Sequence, residues 1–250
     1  MYSFDTRIRY SECGVNKKLT LPALVNYFQD CSTFQSSETA GSWEALMERG
    51  LAWMILFWEI EVSRYPALYE KIKFGTIPYS IKGLFGCRNF LMEDAEGIVI
   101  SKANSIWALI DLKSQLPVKV PDEVAAAYPV EEKLDMVYSG RKISFPETGE
   151  NCKAGELIVR QRDLDINRHV NNEQYIRFAT DALEEAGFGD RTHPERLRVE
   201  YRKQAFKGDM IYPLINDRLE DGKRIFTVSL NGEDETPYCL VEITDKVNRS

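Results

Sequence analysis

The most constraining feature of the chain is an order of elements that occurs twice. In the first half, apolar residues recur every three or four positions over 21–36, which predicts a long helix. Thr20 and Pro22 are residues typical of a helix start. A short helix over 43–48 follows, and then four predicted strands at 51–62, 70–81, 84–93 and 97–112. Long consecutive strands with short connections predict an antiparallel meander beside the helix.

The second half repeats this order. It begins with a predicted strand over 157–162, continues with a helix over 172–186 that Gly187 ends, and closes with four strands at 196–206, 209–219, 224–230 and 238–245. The region between the halves is rich in proline and acidic pairs, which predicts a linker with a short helix near Val124. Two similar units are therefore expected.

The two halves align at an offset of 151 residues, which places Asn16 on Asn167 and Leu19 on Val170. A helix wrapped by one antiparallel sheet is the hotdog layout. We therefore predict an α+β tandem hotdog that packs as a pseudo-dimer, with an N-terminal hotdog over 1–120, a linker over 121–154 and a C-terminal hotdog over 155–250. The alignment also sets Asp165 and His169 on Gly14 and Lys18, so only the second copy keeps titratable side chains there. One active site per chain is expected.

Composition excludes several classes of protein. The 250 residues carry a net charge of −7, which argues against non-specific nucleic-acid binding. Basic and acidic residues balance over 1–119, so the whole net charge lies beyond that point. The longest apolar run, 51–58, is too short to span a membrane, and the N-terminus has no secretory pattern. We expect a cytoplasmic protein with no membrane span.

Metal and disulfide chemistry are not expected either. The five cysteines are scattered without a C-x-x-C pair, and two histidines cannot form a multi-histidine metal site. One histidine can still act in catalysis.

The chemistry-bearing segment runs from a strand end into the second long helix. Asp165, Asn167 and His169 fall at every second position, so an extended segment would point all three to one side. The helix start that follows offers unpaired N–H groups suited to an oxyanion, and the substrate-binding candidates there are Val170, Asn171 and Asn172. The alternative is a structural turn in which an asparagine is only the N-cap and His169 is a packing residue.

The motif D-x-N-x-H-V-N-N followed by Tyr175 resembles the acyl-[acyl carrier protein] thioesterases, the family of the plant plastid enzymes and their bacterial relatives. Further segments resemble the same family: Ser63-Arg-Tyr-Pro66, Asn104-Ser-Ile-Trp107, Leu116-Pro-Val-Lys-Val-Pro121 and Glu200-Tyr-Arg-Lys-Gln-Ala205. The resemblance implies a tandem hotdog that hydrolyses a fatty acyl thioester on acyl carrier protein. It implies no metal and no cofactor.

By this resemblance, Asp165, Asn167 and His169 match the catalytic Asp, Asn and His of the family. The chain departs at the next positions, because Gln204 and Ala205 stand where the family pattern has Glu and Cys. Our hypothesis makes Asp165 the general base or its orienting group, Asn167 the group that polarises the carbonyl, and His169 the group that positions water or stabilises the oxyanion. Gln204 then holds the water, which attacks directly. Glu200 is a weaker candidate base, for which a solvated strand residue is the favoured interpretation.

Binding residues are assigned more loosely. The first hotdog shapes the acyl tunnel by resemblance, so some of its apolar residues set chain length; the candidates are Met54 and Phe57, with Val25, Tyr79 and Phe85 behind them. An acidic carrier protein needs a basic patch, and the basic stretch over 196–207 supplies Arg202 and Lys203 as candidates. A homodimer is left open. The alternatives to a thioesterase are a hydratase or dehydratase on the same fold, and a non-catalytic module that binds acyl chains or carrier.

Overall fold

The computed structural model describes residues 1–37 and 39–246 of the chain. The chain forms two compact units, the first made of 1–19 and 23–139 and the second of 20–22 and 140–250. The boundary between Ser139 and Gly140 falls inside the predicted linker. Within the described residues, no helix is both long enough and apolar enough to cross a bilayer.

The first unit is an antiparallel sheet with a long helix. Its elements are β1 Tyr2–Arg7, α1 Leu21–Ser36, α2 Trp43–Glu48, β2 Leu51–Val62, β3 Lys71–Lys82, β4 Phe85–Glu93, β5 Val99–Asp111, β6 Leu116–Pro117 and α3 Asp122–Ala126. The strands lie in the order β1-β3-β4-β5-β2, with β6 paired to β5. The bounds of α1 and α2 are those predicted from the apolar spacing, and α3 includes Val124.

An aromatic core joins α1 to this sheet. The ring of Phe28 lies 6.2 Å from Trp58, 5.8 Å from Phe74 and 5.3 Å from Phe90, and all four side chains are fully buried. Because successive strand residues point to opposite faces, Asn89 lies on the face away from α1. The helix therefore covers one face of the sheet.

The other face of the sheet is covered by the middle of the predicted linker. Asn89 Oδ1 accepts the Leu134 N–H at 3.0 Å and the Tyr138 hydroxyl at 2.9 Å. The completely buried Glu59 accepts the Ser139 N–H at 2.7 Å. Buried strand residues thus bind the backbone of residues 134–139, which makes this stretch part of the first unit.

The second unit repeats the helix and the sheet. It contains β7 Glu150–Lys153, β8 Leu157–Ile158, α4 Asn172–Glu185, β9 Arg196–Tyr201, β10 Met210–Glu220, β11 Lys223–Asn231 and β12 Pro237–Lys246. The strand order is β9-β12-β11-β10-β7, with β8 paired to β10. The apolar face of α4 packs on β10, β11 and β12, with Ile176, Ala179 and Leu183 buried. Two hotdog units are confirmed.

Two predicted strands extend at least four residues beyond the strands in the structure. The strand predicted over 196–206 stops at Tyr201, because the N–H groups of Arg202 and Lys203 both donate to the Tyr238 carbonyl and break the ladder register. The strand predicted over 157–162 stops at Ile158, and 161–163 form a 3-10 turn. Both ends lie next to the catalytic motif.

Candidate active site

The catalytic motif folds as a tight turn. The Asp165 N–H donates to the His169 carbonyl at 2.8 Å, and the Arg168 N–H donates to the Asp165 carbonyl at 3.0 Å. Arg168 adopts φ 65°, a left-handed conformation that closes the turn. The expectation of an extended segment is therefore wrong, although the residues still converge.

The Asp165 carboxylate organises this turn from inside. Its Oδ1 accepts the N–H of Asn167 at 2.8 Å and that of His169 at 3.3 Å, while Oδ2 accepts from Asn167 Nδ2 at 3.3 Å. Asp165 and His169 are half-buried and Asn167 is exposed. The turn thus holds a carboxylate, an amide and an imidazole within one short loop that solvent reaches.

Gln204 is brought to this turn by the backbone. The Val170 N–H donates to the carbonyl of the fully buried Ala205 at 3.0 Å, so the segment that carries Gln204 lies against the end of the turn. Phe206 packs edge-on against the His169 ring, with 5.1 Å between the ring centroids. The structure therefore assembles Asp165, Asn167, His169 and the half-buried Gln204 in the second unit.

Phe206 was not anticipated from the sequence. It is 48% exposed, and it covers one edge of the imidazole. The sequence signal for it is a large apolar residue directly after Gln204 and Ala205. It is out of step with the alternation of apolar residues in the strand predicted over 196–206.

The helix start offers fewer free N–H groups than expected. Asn171 is the N-cap of α4, as one of the two alternatives had it, but the Val170 N–H is bound to Ala205 and the Asn171 N–H donates to the Asp163 carbonyl at 2.9 Å. Those two groups cannot serve as oxyanion donors in this conformation. Among the described residues, the buried Asn171 Oδ1 has no hydrogen-bond partner, and it makes no capping bond. An unsatisfied buried acceptor is expected where a substrate donor binds.

The first unit contains the same turn without its chemistry. The Gly14 N–H donates to the Lys18 carbonyl at 3.0 Å, Lys17 has φ 60°, and the Leu19 N–H donates to the Pro66 carbonyl at 3.0 Å. These bonds match those of the second unit at the offset of 151 for the turn. The turn therefore folds without a carboxylate, and the residues predicted for catalysis occur only in the second copy.

The acyl-tunnel candidates lie in the first unit on β2. Phe57 is fully buried and Met54 is half-buried, and a register shift in the β2–β5 ladder lies between them. Their role in binding stays a prediction.

The second unit has two cavities. One of about 270 Å³ borders α4, and a wider cleft of about 890 Å³ contains three arginines, Arg191, Arg218 and Arg224. Each of these arginines is ion-paired, to Asp245, Glu242 and Asp217 respectively. Neither cavity is lined by the residues predicted for catalysis.

Glu200 is not a solvated strand residue. Its side chain is almost completely buried, and Oε2 accepts the Ile143 N–H and an Arg202 Nη2–H, both at 2.8 Å. The same Nη2 donates to the Ile143 carbonyl at 2.7 Å. The Glu200 carboxylate and Arg202 therefore bind the backbone N–H and the carbonyl of Ile143. Because its carboxylate is engaged in this way, Glu200 is not available as a base.

The carrier-binding candidates are both engaged within the unit. Arg202 is committed to Glu200 and Ile143, and Lys203 pairs with Asp234 at 3.4 Å and lies 5.3 Å from the Tyr238 ring. Lys203 is exposed, and its pair with Asp234 is a weak surface pair. Lys203 therefore keeps more freedom to meet an acidic partner than Arg202 does.

Replacing Glu200 with alanine is expected to lower the free energy of unfolding by about 2–3 kcal/mol, because it leaves the buried Ile143 N–H without an acceptor. Urea denaturation measures this loss. The matched control is Asp234→Asn, which removes the charge of the exposed pair with Lys203, keeps an oxygen for the two hydrogen bonds from Thr236 and should cost less than about 0.5 kcal/mol. Equal losses in the two variants would contradict the structural role of Glu200.

The chain combines a tandem hotdog fold with one Asp-Asn-His turn, and comparison with known proteins identifies its family. The model of the acyl-ACP thioesterase N-terminal domain matches residues 1–128, and that of the C-terminal domain matches 147–244. The chain belongs to the acyl-ACP thioesterase family.

Individual relatives agree with this family. An acyl-[acyl-carrier-protein] hydrolase of Cuphea viscosissima is 29% identical over 217 residues, which are 82% of this chain and 52% of the relative. The chain thus spans about half the length of the curated relatives it matches. The solved structure of a putative oleoyl thioesterase from Lactobacillus plantarum superposes with a TM-score of 0.87 at 26% identity, covering 97% of this chain and 94% of that one.

A more distant structure shows the same fold. The 12:0-ACP thioesterase from Umbellularia californica superposes with a TM-score of 0.78 at 19% identity, covering 98% of this chain and 96% of that one.

Proposed function

We propose that the chain hydrolyses fatty acyl-[acyl carrier protein] thioesters to free fatty acid and carrier thiol. The observation that carries the proposal is the turn over 165–169, which holds Asp165, Asn167 and His169 together and is bonded next to Gln204. The family to which the chain belongs supports the same reaction, and the named relatives act on carrier-bound acyl chains.

In this reaction a water oxygen attacks the thioester carbonyl carbon, and the C–S bond then breaks. Asp165 accepts the water proton, directly or through His169, and the departing sulfur is protonated as the carboxylic acid forms. Asn167 donates to the carbonyl oxygen while negative charge develops there. Gln204 cannot take a proton at neutral pH, so its part is to hold the water. Ala205 offers no thiol, which favours direct hydrolysis over a covalent acyl-enzyme.

The test is release of free thiol from an acyl-carrier substrate, followed with a chromogenic thiol reagent. Release that Asp165→Asn abolishes supports the proposal. A hydratase or dehydratase would change the acyl chain without freeing thiol. Because Gln204 replaces a carboxylate, a binding module is the second candidate, and tight binding of acyl carrier without thiol release would favour it.

The carrier protein is proposed as the partner, with Lys203 and Arg202 contributing to the surface that receives it. Turnover of carrier-bound substrate is expected to fall several-fold between about 50 and 500 mM salt, because screening weakens attraction between an acidic carrier and exposed cations. Turnover of a short acyl thioester without carrier should stay nearly constant. Equal salt responses of the two substrates would remove the electrostatic docking surface.

A cytoplasmic location and a homodimer are further proposals. The oligomeric state is decided by light scattering on the purified chain.

A further inference from the structure

A tyrosine of α4 reaches the segment that carries Gln204. The Ala205 N–H donates to the Tyr175 hydroxyl at 2.9 Å, and the Ala205 carbonyl accepts the Val170 N–H at 3.0 Å. Both polar groups of the Ala205 residue are therefore fixed, one by the helix and one by the residue that follows His169. Ala205 is completely buried and Tyr175 is 3% exposed, so water does not compete for these bonds.

The Tyr175 ring is itself locked. It lies edge-on to the Tyr201 ring at 5.8 Å, and the Tyr201 hydroxyl donates to the Asn172 carbonyl at 3.0 Å in the first turn of α4. Two tyrosines thus tie the start of the helix to the end of β9. Burial raises the pKa of the Tyr175 hydroxyl, so that the group stays neutral and does not transfer protons.

The first unit shows that the turn forms without a counterpart of the bond between Tyr175 and Ala205. Its counterpart of the Val170–Ala205 bond joins the Leu19 N–H to the Pro66 carbonyl at the same 3.0 Å. At the offset of 151, Leu24 stands in place of Tyr175. Pro66 takes the part of Ala205, because its carbonyl accepts the N–H of Leu19, the counterpart of Val170. Leucine has no hydroxyl and proline has no N–H. Donor and acceptor are both missing in the copy without catalytic side chains, although the turn and its backbone bond are preserved.

From this contrast we infer that Tyr175 is a positioning residue of the active site, whose hydroxyl holds the Gln204–Ala205 peptide against the turn that carries His169. The bond is an addition to the fold rather than a requirement of it. Its consequence is a fixed placement of the Gln204 backbone relative to the turn over 165–169, which the proposed hydrolysis needs for holding water. The inference rests on the proposed function for its kinetic part only.

The kinetic test is Tyr175→Phe, which removes the hydroxyl and keeps the ring. We expect kcat on acyl-carrier substrate to fall about five- to tenfold while KM stays within about twofold, since substrate contacts are unchanged and only the water-holding group moves. Combining Tyr175→Phe with Gln204→Ala should give a kcat within about twofold of Gln204→Ala alone, because the hydroxyl acts through Gln204.

A matched control comes from the first unit. The Trp53 Nε1–H donates to the buried Tyr128 hydroxyl at 3.1 Å, and that hydroxyl donates to the Gly41 carbonyl at 2.8 Å. Tyr128→Phe therefore also deprives a nitrogen donor of its acceptor, and it removes the donor of a carbonyl as well. This variant should lose at least as much stability as Tyr175→Phe and keep kcat. A kcat for Tyr175→Phe that matches Tyr128→Phe, or losses that multiply in the double variant, would overturn the inference.

A second measurement stands without any activity. Hydrogen exchange of the Ala205 amide should be at least about tenfold faster in Tyr175→Phe than in the parent chain, with the Val170 amide nearly unchanged. If the parent chain released no thiol, the proposed function would fail while this exchange measurement still decided the tyrosine bond. Unchanged protection of the Ala205 amide would refute it.

Discussion

Asp165→Asn is expected to lower kcat for thiol release at least about a hundredfold, because a positioned general base contributes roughly 10²–10⁴ in rate. Asparagine can keep the acceptor that binds the N–H groups of Asn167 and His169, so the turn should persist. It cannot take the proton of the attacking water. Steady-state kinetics at saturating acyl carrier measure the loss directly.

The turn of the first unit indicates that this loss of kcat comes from the missing base and not from a disrupted turn. Its turn has Gly14 in place of Asp165 and still closes through the bond from the Gly14 N–H to the Lys18 carbonyl. A control variant in that turn, Lys18→Ala, should keep full activity. If Gln204→Ala cost more activity than Asp165→Asn, the roles given to the two residues would be reversed.

The helices could be predicted because their signal is local. Apolar spacing in 21–36 defines α1 to the residue, and α4 ends one residue before its predicted end at Ala186. Gly187, with φ 85°, supplies the left-handed conformation that follows the helix. The end of β9 could not be predicted, because it depends on one carbonyl, that of Tyr238, which lies far along the chain and takes two N–H groups.

The sequence predicts which residues form the candidate site, but it does not predict their geometry. An alternating pattern is typical of an extended segment. Nothing in the residue types of the motif predicts that Arg168 adopts a left-handed backbone conformation. The environment of Glu200 was equally hidden, because its partner Ile143 is 57 residues away. The differences between the two copies are more informative about the site than the motif alone. The exchanges of Leu24 for Tyr175 and of Pro66 for Ala205 mark where the second copy gained a polar bond.

Gln204→Glu is expected to raise kcat at least about tenfold at neutral pH. The change places a carboxylate on the segment that is bonded to the turn over 165–169, at the position where the family pattern has one. An ionised glutamate accepts a proton from water that glutamine only holds. Ala205 stays hydrogen-bonded to Val170 and Tyr175. The glutamate side chain is therefore expected to take the position of the glutamine. Kinetics of the variant on acyl-carrier substrate measure the gain.

The decisive measurement is the dependence on Asp165. If two carboxylates can serve as base, Asp165→Asn should cost about tenfold less in the Gln204→Glu background than in the parent chain, a coupling of about 1.4 kcal/mol. Gln161→Glu adds the same charge at an exposed position of the second unit and should change neither rate. An unchanged kcat together with an unchanged cost of Asp165→Asn would mean that side chain 204 does not reach the attacking water. The hydrolysis would then depend on the turn over 165–169 alone.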